Sequence, residues 1–190
     1  MAEHAAWEEA GSQTQWTLVT INPSFVMGPG LQYHESSESF SLVKQMGNGK
    51  MASGVPRFST GIVDVRNVAQ AHVVAGYSTE AKGRFVLSGH DTDFYEMAQC
   101  LLQTYPNYPL PKRCIPKFLV ELIGPLLPGH TFTRKYIQNN VDIDIHFDNT
   151  KSQEVLGIEY MDLSDTMNDM FQQMVDAGAF ETNESESNGS

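Results

Sequence analysis

A chain of 190 residues with 41% apolar side chains amounts to one domain or part of a larger one, with enough hydrophobic material for a core. A formal charge of −11, from 12 Lys and Arg against 23 Asp and Glu, argues against nucleic acid and anionic membrane surfaces as partners. Two cysteines, Cys100 and Cys114, make neither a disulfide framework nor a zinc set, and reduced thiols in a cytoplasmic setting are the default. The polar start MAEHAAWEEA is not a signal peptide. The longest apolar run, 118–127, is broken by Glu121, Gly124 and Pro125 and is too short to span a bilayer.

Residues 2–11 read as a helix rich in Ala, with Trp7 on its apolar side and Gly11-Ser12 closing it. It has no capping residue before Ala2, which reads as a chain that begins inside a helix. TLVTI, residues 17–21, is a β-run, expected to stop at Asn22-Pro23 because proline cannot donate to a ladder. Ser24 to Met27 then follow as a shaped loop up to Gly28-Pro29-Gly30. A short buried strand ending in such a loop is how open α/β sheets build ligand sites at strand carboxyl ends. Residues 37–46 form a helix with Phe40, Val43 and Met46 inward and Ser36 or Ser37 as cap.

The spacing then predicts a strand over 60–65 and a helix over 67–77, with Val68, Ala71, Val74 and Ala75 on one face and Asp64 at or near its N-cap. A strand over 84–88 is closed by Gly89. A helix capped by Thr92 or Asp93 runs to about Thr104, and a proline-set connection crosses 105–111. Helices are expected over 115–122 with Pro116 in the first turn, 131–139, 150–156 ended by Gly157, and 163–177. The last carries a Ser164 cap and an inward stripe of Met167, Met170, Phe171 and Met174. Residues 181–190 read as a disordered tail. Strands separated by helices come first and helices alone later. That order fits the end of an α/β domain followed by a smaller helical cap.

Several chemical motifs are excluded. Gly47-Asn48-Gly49-Lys50 lacks the first glycine of a phosphate loop and reads as a helix end. Ser88, His90 and Asp91 are sequence neighbours, not a converging triad. The six histidines have no metal-ligand spacing. Tyr108 and Lys112 are separated by Pro109 and Pro111, so no helix can align them.

Several segments in order resemble the extended short-chain dehydrogenases/reductases, in the branch with dihydroflavonol and cinnamoyl-CoA reductases. AEHAAWEEA is similar to the stretch after the family's catalytic Tyr-x-x-x-Lys. TLVTINPSFVMGPG resembles the strand and nicotinamide loop that follow the catalytic helix, and HESSESFSLV resembles the Ser-containing helix start after that loop. GIVDVRNVAQAHVVA resembles F-V-H-V-x-D-V-A-x-A-H, with Asp64 in place of its His and Asn67 in place of its second Asp. RFVLSG and FDNTKSQEVLGIEY complete the set. The resemblance implies a partial Rossmann-type doubly wound sheet plus a mostly helical substrate-binding cap. Residues 1–90 would be the remnant of the Rossmann-like domain and 91–180 the substrate-binding region.

The resemblance further implies NADP or NAD as cofactor, with Pro23, Ser24, Phe25 and Val26 facing the nicotinamide and Ser36 on the phosphate side. Phe25, Met27, Tyr33 and Asp64 would lie toward a small-molecule carbonyl or alcohol substrate. Asp64 and Asn67, as departures near the substrate side, would alter specificity. The expected reaction is hydride transfer. The family's Gly-rich turn and its helical Tyr-x-x-x-Lys do not occur in these residues, so the expectation is a C-terminal portion of such an enzyme. The alternative is a non-catalytic binding module that dimerises through its N-terminal helix.

Overall fold

The computed structural model describes residues 2–123 and 133–180. Part of the apolar run over 118–127, the expected helix start at 131 and the expected tail over 181–190 lie outside them. Five strands and eight helices are described: α1 Ala2–Gly11, β1 Val19–Pro23, β2 Phe25–Met27, α2 Glu38–Gly47, β3 Ser59–Asp64, α3 Val65–Tyr77, β4 Gly83–Leu87, β5 His90–Asp93, α4 Phe94–Thr104, α5 Lys117–Ile123, α6 Arg134–Asn140, α7 Thr150–Leu156 and α8 Leu163–Asp176. This is a mixed α/β fold with parallel strand pairs. Among the described residues, no helix is long and apolar enough to cross a membrane.

The expected stop at Pro23 is instead a change of partner. β1 runs parallel to β4, from Val19 opposite Gly83 to Pro23 opposite Leu87. Proline has no N–H to extend that ladder, and the Ser24 N–H donates the next bond to Leu87 O at 2.8 Å. Beyond Ser24 the chain pairs as β2 with β3, Phe25 opposite Ile62 and Met27 opposite Asp64. Residues 25–27 are therefore strand, not loop. The other chain turns at the same level: after β4, Gly89 N–H donates to Ile62 O at 2.7 Å, and β5 runs antiparallel to β3. The strand β5 carries His90, Asp91, Thr92 and Asp93 and has no apolar signature.

Two cores result. One gathers Met27, Phe40, Val43, Met46, Met97, Leu101 and Phe171 between β2, α2, α4 and α8. The other gathers Val63, Ala71, Ala75, Phe85, Leu87, Leu156 and Ile158 between the sheets, α3 and the α7 region. The stripe expected on α8 is buried, with Met167, Met170, Phe171 and Met174 at most 1% exposed.

Some local expectations change. Asp162, not Ser164, caps α8, because its carboxylate accepts from the Ser164 N–H at 2.8 Å. Ser37 occupies the α2 N-cap without a side-chain bond, while Ser36 is exposed and pairs with His34 Nδ1 at 2.9 Å. Pro116 precedes α5 instead of opening it. The helix α1 buries none of its residues; Trp7 bonds to Glu3 and lies beside Arg84 instead.

The D-N-T-K run also acquires a mechanical meaning. Asp148 caps the Thr150 N–H at 3.0 Å, Asn149 Nδ2 donates to Ser88 O at 2.6 Å, and Lys151 Nζ reaches Lys82 O and Arg84 O at 2.7 and 2.9 Å. The run fastens α7 across β4.

Candidate functional site

The parallel strands β2 and β3 end side by side, Met27 opposite Asp64. Their carboxyl ends release the loop Gly28-Pro29-Gly30 on one side and the first turn of α3 on the other. This is the edge at which open α/β sheets take ligands. Gly28 has φ +102°, and a Cβ there would sit 2.9 Å from Asp64 Oδ2. Glycine is needed at this position both for the backbone angle and for the close approach of the carboxylate.

Asp64 anchors the edge. Its side chain is 0% exposed. Oδ1 accepts from the Arg66 N–H at 2.7 Å and from Arg66 Nε at 2.9 Å, and Oδ2 accepts from Arg66 Nη2 at 2.7 Å. Burial opposes ionisation of this carboxyl, but the hydrogen bonds from Arg66, with a further one from Thr166 and the Arg66 charge, together outweigh it and hold the pKa below the ordinary aspartate value. The remaining arm of the guanidinium, Nη1, bonds to Asp169 Oδ2 on α8 at 2.8 Å. One turn further along α8, Gln173 meets Gly30 twice. Its Oε1 accepts from the Gly30 N–H at 2.9 Å, and its Nε2 donates to Gly30 O at 2.7 Å. From the opposite flank, Ser39 Oγ on α2 donates to Val26 O at 2.6 Å.

No family model matches the chain. Among curated proteins it is 32% identical over 152 residues to cinnamoyl-CoA reductase 1 of Arabidopsis thaliana, covering 80% of this chain and 41% of that protein. It is also 32% identical over 114 residues to tetraketide alpha-pyrone reductase 2 of the same plant, covering 60% of this chain and 35% of that protein. Among solved structures, Gre2 from Candida albicans in complex with NADPH matches with a TM-score of 0.69 at 27% identity, over 93% of this chain and 49% of that one. The chain is similar to part of these reductases, in line with its resemblance to the extended short-chain dehydrogenases/reductases. It spans less than half the length of these relatives.

The loop residues named from sequence fall at one place. Pro23 is exposed at the end of β1, and Ser24, Phe25 and Val26 are half-buried across the sheet junction. Phe25 packs toward the α2–α4–α8 core and Val26 toward the other. Ser24 Oγ is buried with no hydrogen-bond partner. Tyr33 is half-buried, edge-on to Phe40 with ring centroids 5.3 Å apart. Ser36 sits on the exposed approach to α2.

Met27 and Asp64 are 1% and 3% exposed. Both face inward, Met27 into the core and Asp64 onto Arg66 and Gly28, so neither presents its side chain at a surface. Asn67, expected near the substrate side, is 3% exposed. Its amide donates to Glu159 O at 2.8 Å and accepts from the Met161 N–H at 2.9 Å. The segment following Gly157 is thereby bound to α3. Tyr108 is no proton donor in a helical pair: it lies outside any helix, its ring 5.0 Å from Phe171 and 5.3 Å from Phe180.

Sequence reasoning missed Ser39, Arg66 and Gln173. The only local signal was for Arg66, two residues after a capping Asp. The other two make their bonds to backbone groups 13 and 143 residues away, which no spacing rule reaches.

Proposed function

We propose that this chain supplies the nicotinamide-facing loop and the substrate side of an NADP(H)- or NAD(H)-dependent reductase acting on a small-molecule carbonyl or secondary alcohol. The observation that carries the reading is the parallel β2–β3 pair, whose carboxyl ends release Gly28-Pro29-Gly30 beside the buried Asp64. The NADPH bound by the structurally similar Gre2 supports NADP as the cofactor. When bound, a dihydronicotinamide supplies the hydride that reduces a carbonyl carbon to an alcohol.

The residues present fit such a ring. Ser24 Oγ is a buried hydroxyl without a protein partner at the sheet junction, which suits a carboxamide. The backbone of Pro23, Ser24, Phe25 and Val26 orients the ring, Phe25 and Tyr33 supply apolar wall, and Ser36 lies toward the phosphates. Met27 and Asp64 act from behind, by filling the core and by shaping the loop at Gly28. Residues up to 90 contribute the nicotinamide loop, and 91–180 contribute the substrate side and the helix that backs the loop. No residue here is assigned the proton transfer.

A second reading, a non-catalytic module that dimerises through α1, draws support from one feature. Trp7 and Trp16 line an open groove of about 510 Å³ with Lys82 and Gly83, and α1 buries nothing of its own. The two readings separate on NADPH fluorescence and sedimentation. A rise in nicotinamide emission on titrating the chain with NADPH supports the reductase reading, and no change at millimolar cofactor overturns it for this chain. A concentration-dependent dimer that Trp7→Ala abolishes, in a chain that leaves NADPH emission unchanged, establishes the second.

A further inference from the structure

The loop 28–30 takes its fixed points from α8. Gly30 presents one backbone donor and one backbone acceptor, and Gln173 satisfies both, at 2.9 and 2.7 Å. A side-chain amide is the neutral group that offers one acceptor and donors in a single plane, so it meets a peptide unit as a neighbouring strand would. Gly28, on the far side of Pro29, is held by a second route. Its Cα packs on the Asp64 carboxylate, that carboxylate is gripped by Arg66, and the free arm of Arg66 ends on Asp169. Asp169 and Gln173 are one helical turn apart and therefore share a face of α8. Pro29, between the two held glycines, has no N–H with which to fix the loop from within.

We infer that α8 is a clamp on this loop: Gln173 is its positioning residue, and the conformation in which the loop meets a cofactor depends on the Asp169–Gln173 face. The second half of this inference rests on the proposed function; the first does not. The clamp closes on backbone and on a buried carboxylate, so it shapes the loop and does not touch a reacting atom. It also couples the loop to the far end of the described chain, since α8 is packed against α4 through the Met167, Met170 and Phe171 core.

The test is amide hydrogen exchange on the whole chain, with and without millimolar NADPH, in the parent and in Gln173→Glu and Gln173→Met. Glu keeps the shape and the acceptor but cannot donate to Gly30 O. Met keeps the length and removes both bonds. Two ordinary hydrogen bonds correspond to roughly ten- to hundredfold faster exchange at Gly30 in the Met variant, with less in the Glu variant. Core amides such as Ile62 should be unchanged, and cofactor-induced protection over Ser24–Val26 should be lost. Unchanged exchange at Gly30 in both variants overturns the clamp. So does a uniform acceleration of loop and core together, because Gln173 is then a general stabiliser. Full cofactor protection at Ser24–Val26 despite an opened Gly30 overturns the positioning role. A parent chain whose loop ignores NADPH, while the variants open Gly30 selectively, upholds the clamp and overturns the cofactor reading.

Discussion

Replacing Asp64 separates its two contributions. In Asp64→Ala the α3 N-cap is lost, which costs about 1 kcal/mol. The charge-assisted bonds to Arg66 are lost as well. Such bonds are worth about 1.5–3 kcal/mol when buried, but Arg66 is 40% exposed and retains Asp169, so a discounted 1–2 kcal/mol is the appropriate figure. The sum is about 2–3 kcal/mol. In Asp64→Asn the side-chain oxygen still accepts from the Arg66 N–H, so the cap survives and the cost falls to about 1–2 kcal/mol.

Urea unfolding followed by circular dichroism reads both, and the pH dependence gives an independent check. The folded-state pKa of Asp64 lies below the ordinary 3.8. Its contribution is therefore fully present above pH 3.8 and is lost as pH falls through the lower folded value. The gap between parent and Asp64→Asn should close over that acid range. A destabilisation of Asp64→Ala under about 0.5 kcal/mol, or an Asn variant as costly as the Ala variant, refutes the assignment of cap and anchor.

Three further outcomes are expected. Gly28→Ala forces a side chain into φ +102° and against Asp64 Oδ2 at 2.9 Å, and should cost about 2–4 kcal/mol by the same unfolding assay. Asn67→Ala removes the side-chain partner of Glu159 O and of the Met161 N–H, both only partly buried; about 1–2 kcal/mol is expected, with faster exchange at the Met161 amide. Phe171→Ala removes the ring that meets Tyr105, Tyr108 and Phe180 at 4.5, 5.0 and 4.7 Å, and should lower stability by about 3–5 kcal/mol, read as a fall in Tm.

Elements with local causes were legible in the chain. The stripe on α8 follows from a 3.6-residue period, the α3 cap from one carboxylate before a helix, and the end of α7 from Gly157, which adopts φ 62°. Elements with distant causes were not. Pro23 was read as an end because its missing N–H ends one ladder, but the chain merely changes partner from β4 to β3. His90–Asp93 was invisible as a strand because its polar run pairs only by virtue of β3 beside it. At the site, the loop was legible and its supports were not: the bonds of Gln173 and Asn67 span 143 and 92 residues. Asn67 shows the consequence. Its amide binds two backbone groups that a carboxylate could not both satisfy, a role no local pattern announces.

The central claim is that the chain following β1 is the nicotinamide-facing surface. Backbone amide NMR of the labelled chain titrated with NADPH to millimolar concentration tests it most directly. The account predicts saturable shifts concentrated at Ser24, Phe25, Val26, Gly28 and Gly30. Shifts confined to other surfaces, such as the polar cleft at Arg57, Asp91 and Asp93, or no shifts at all, would contradict it.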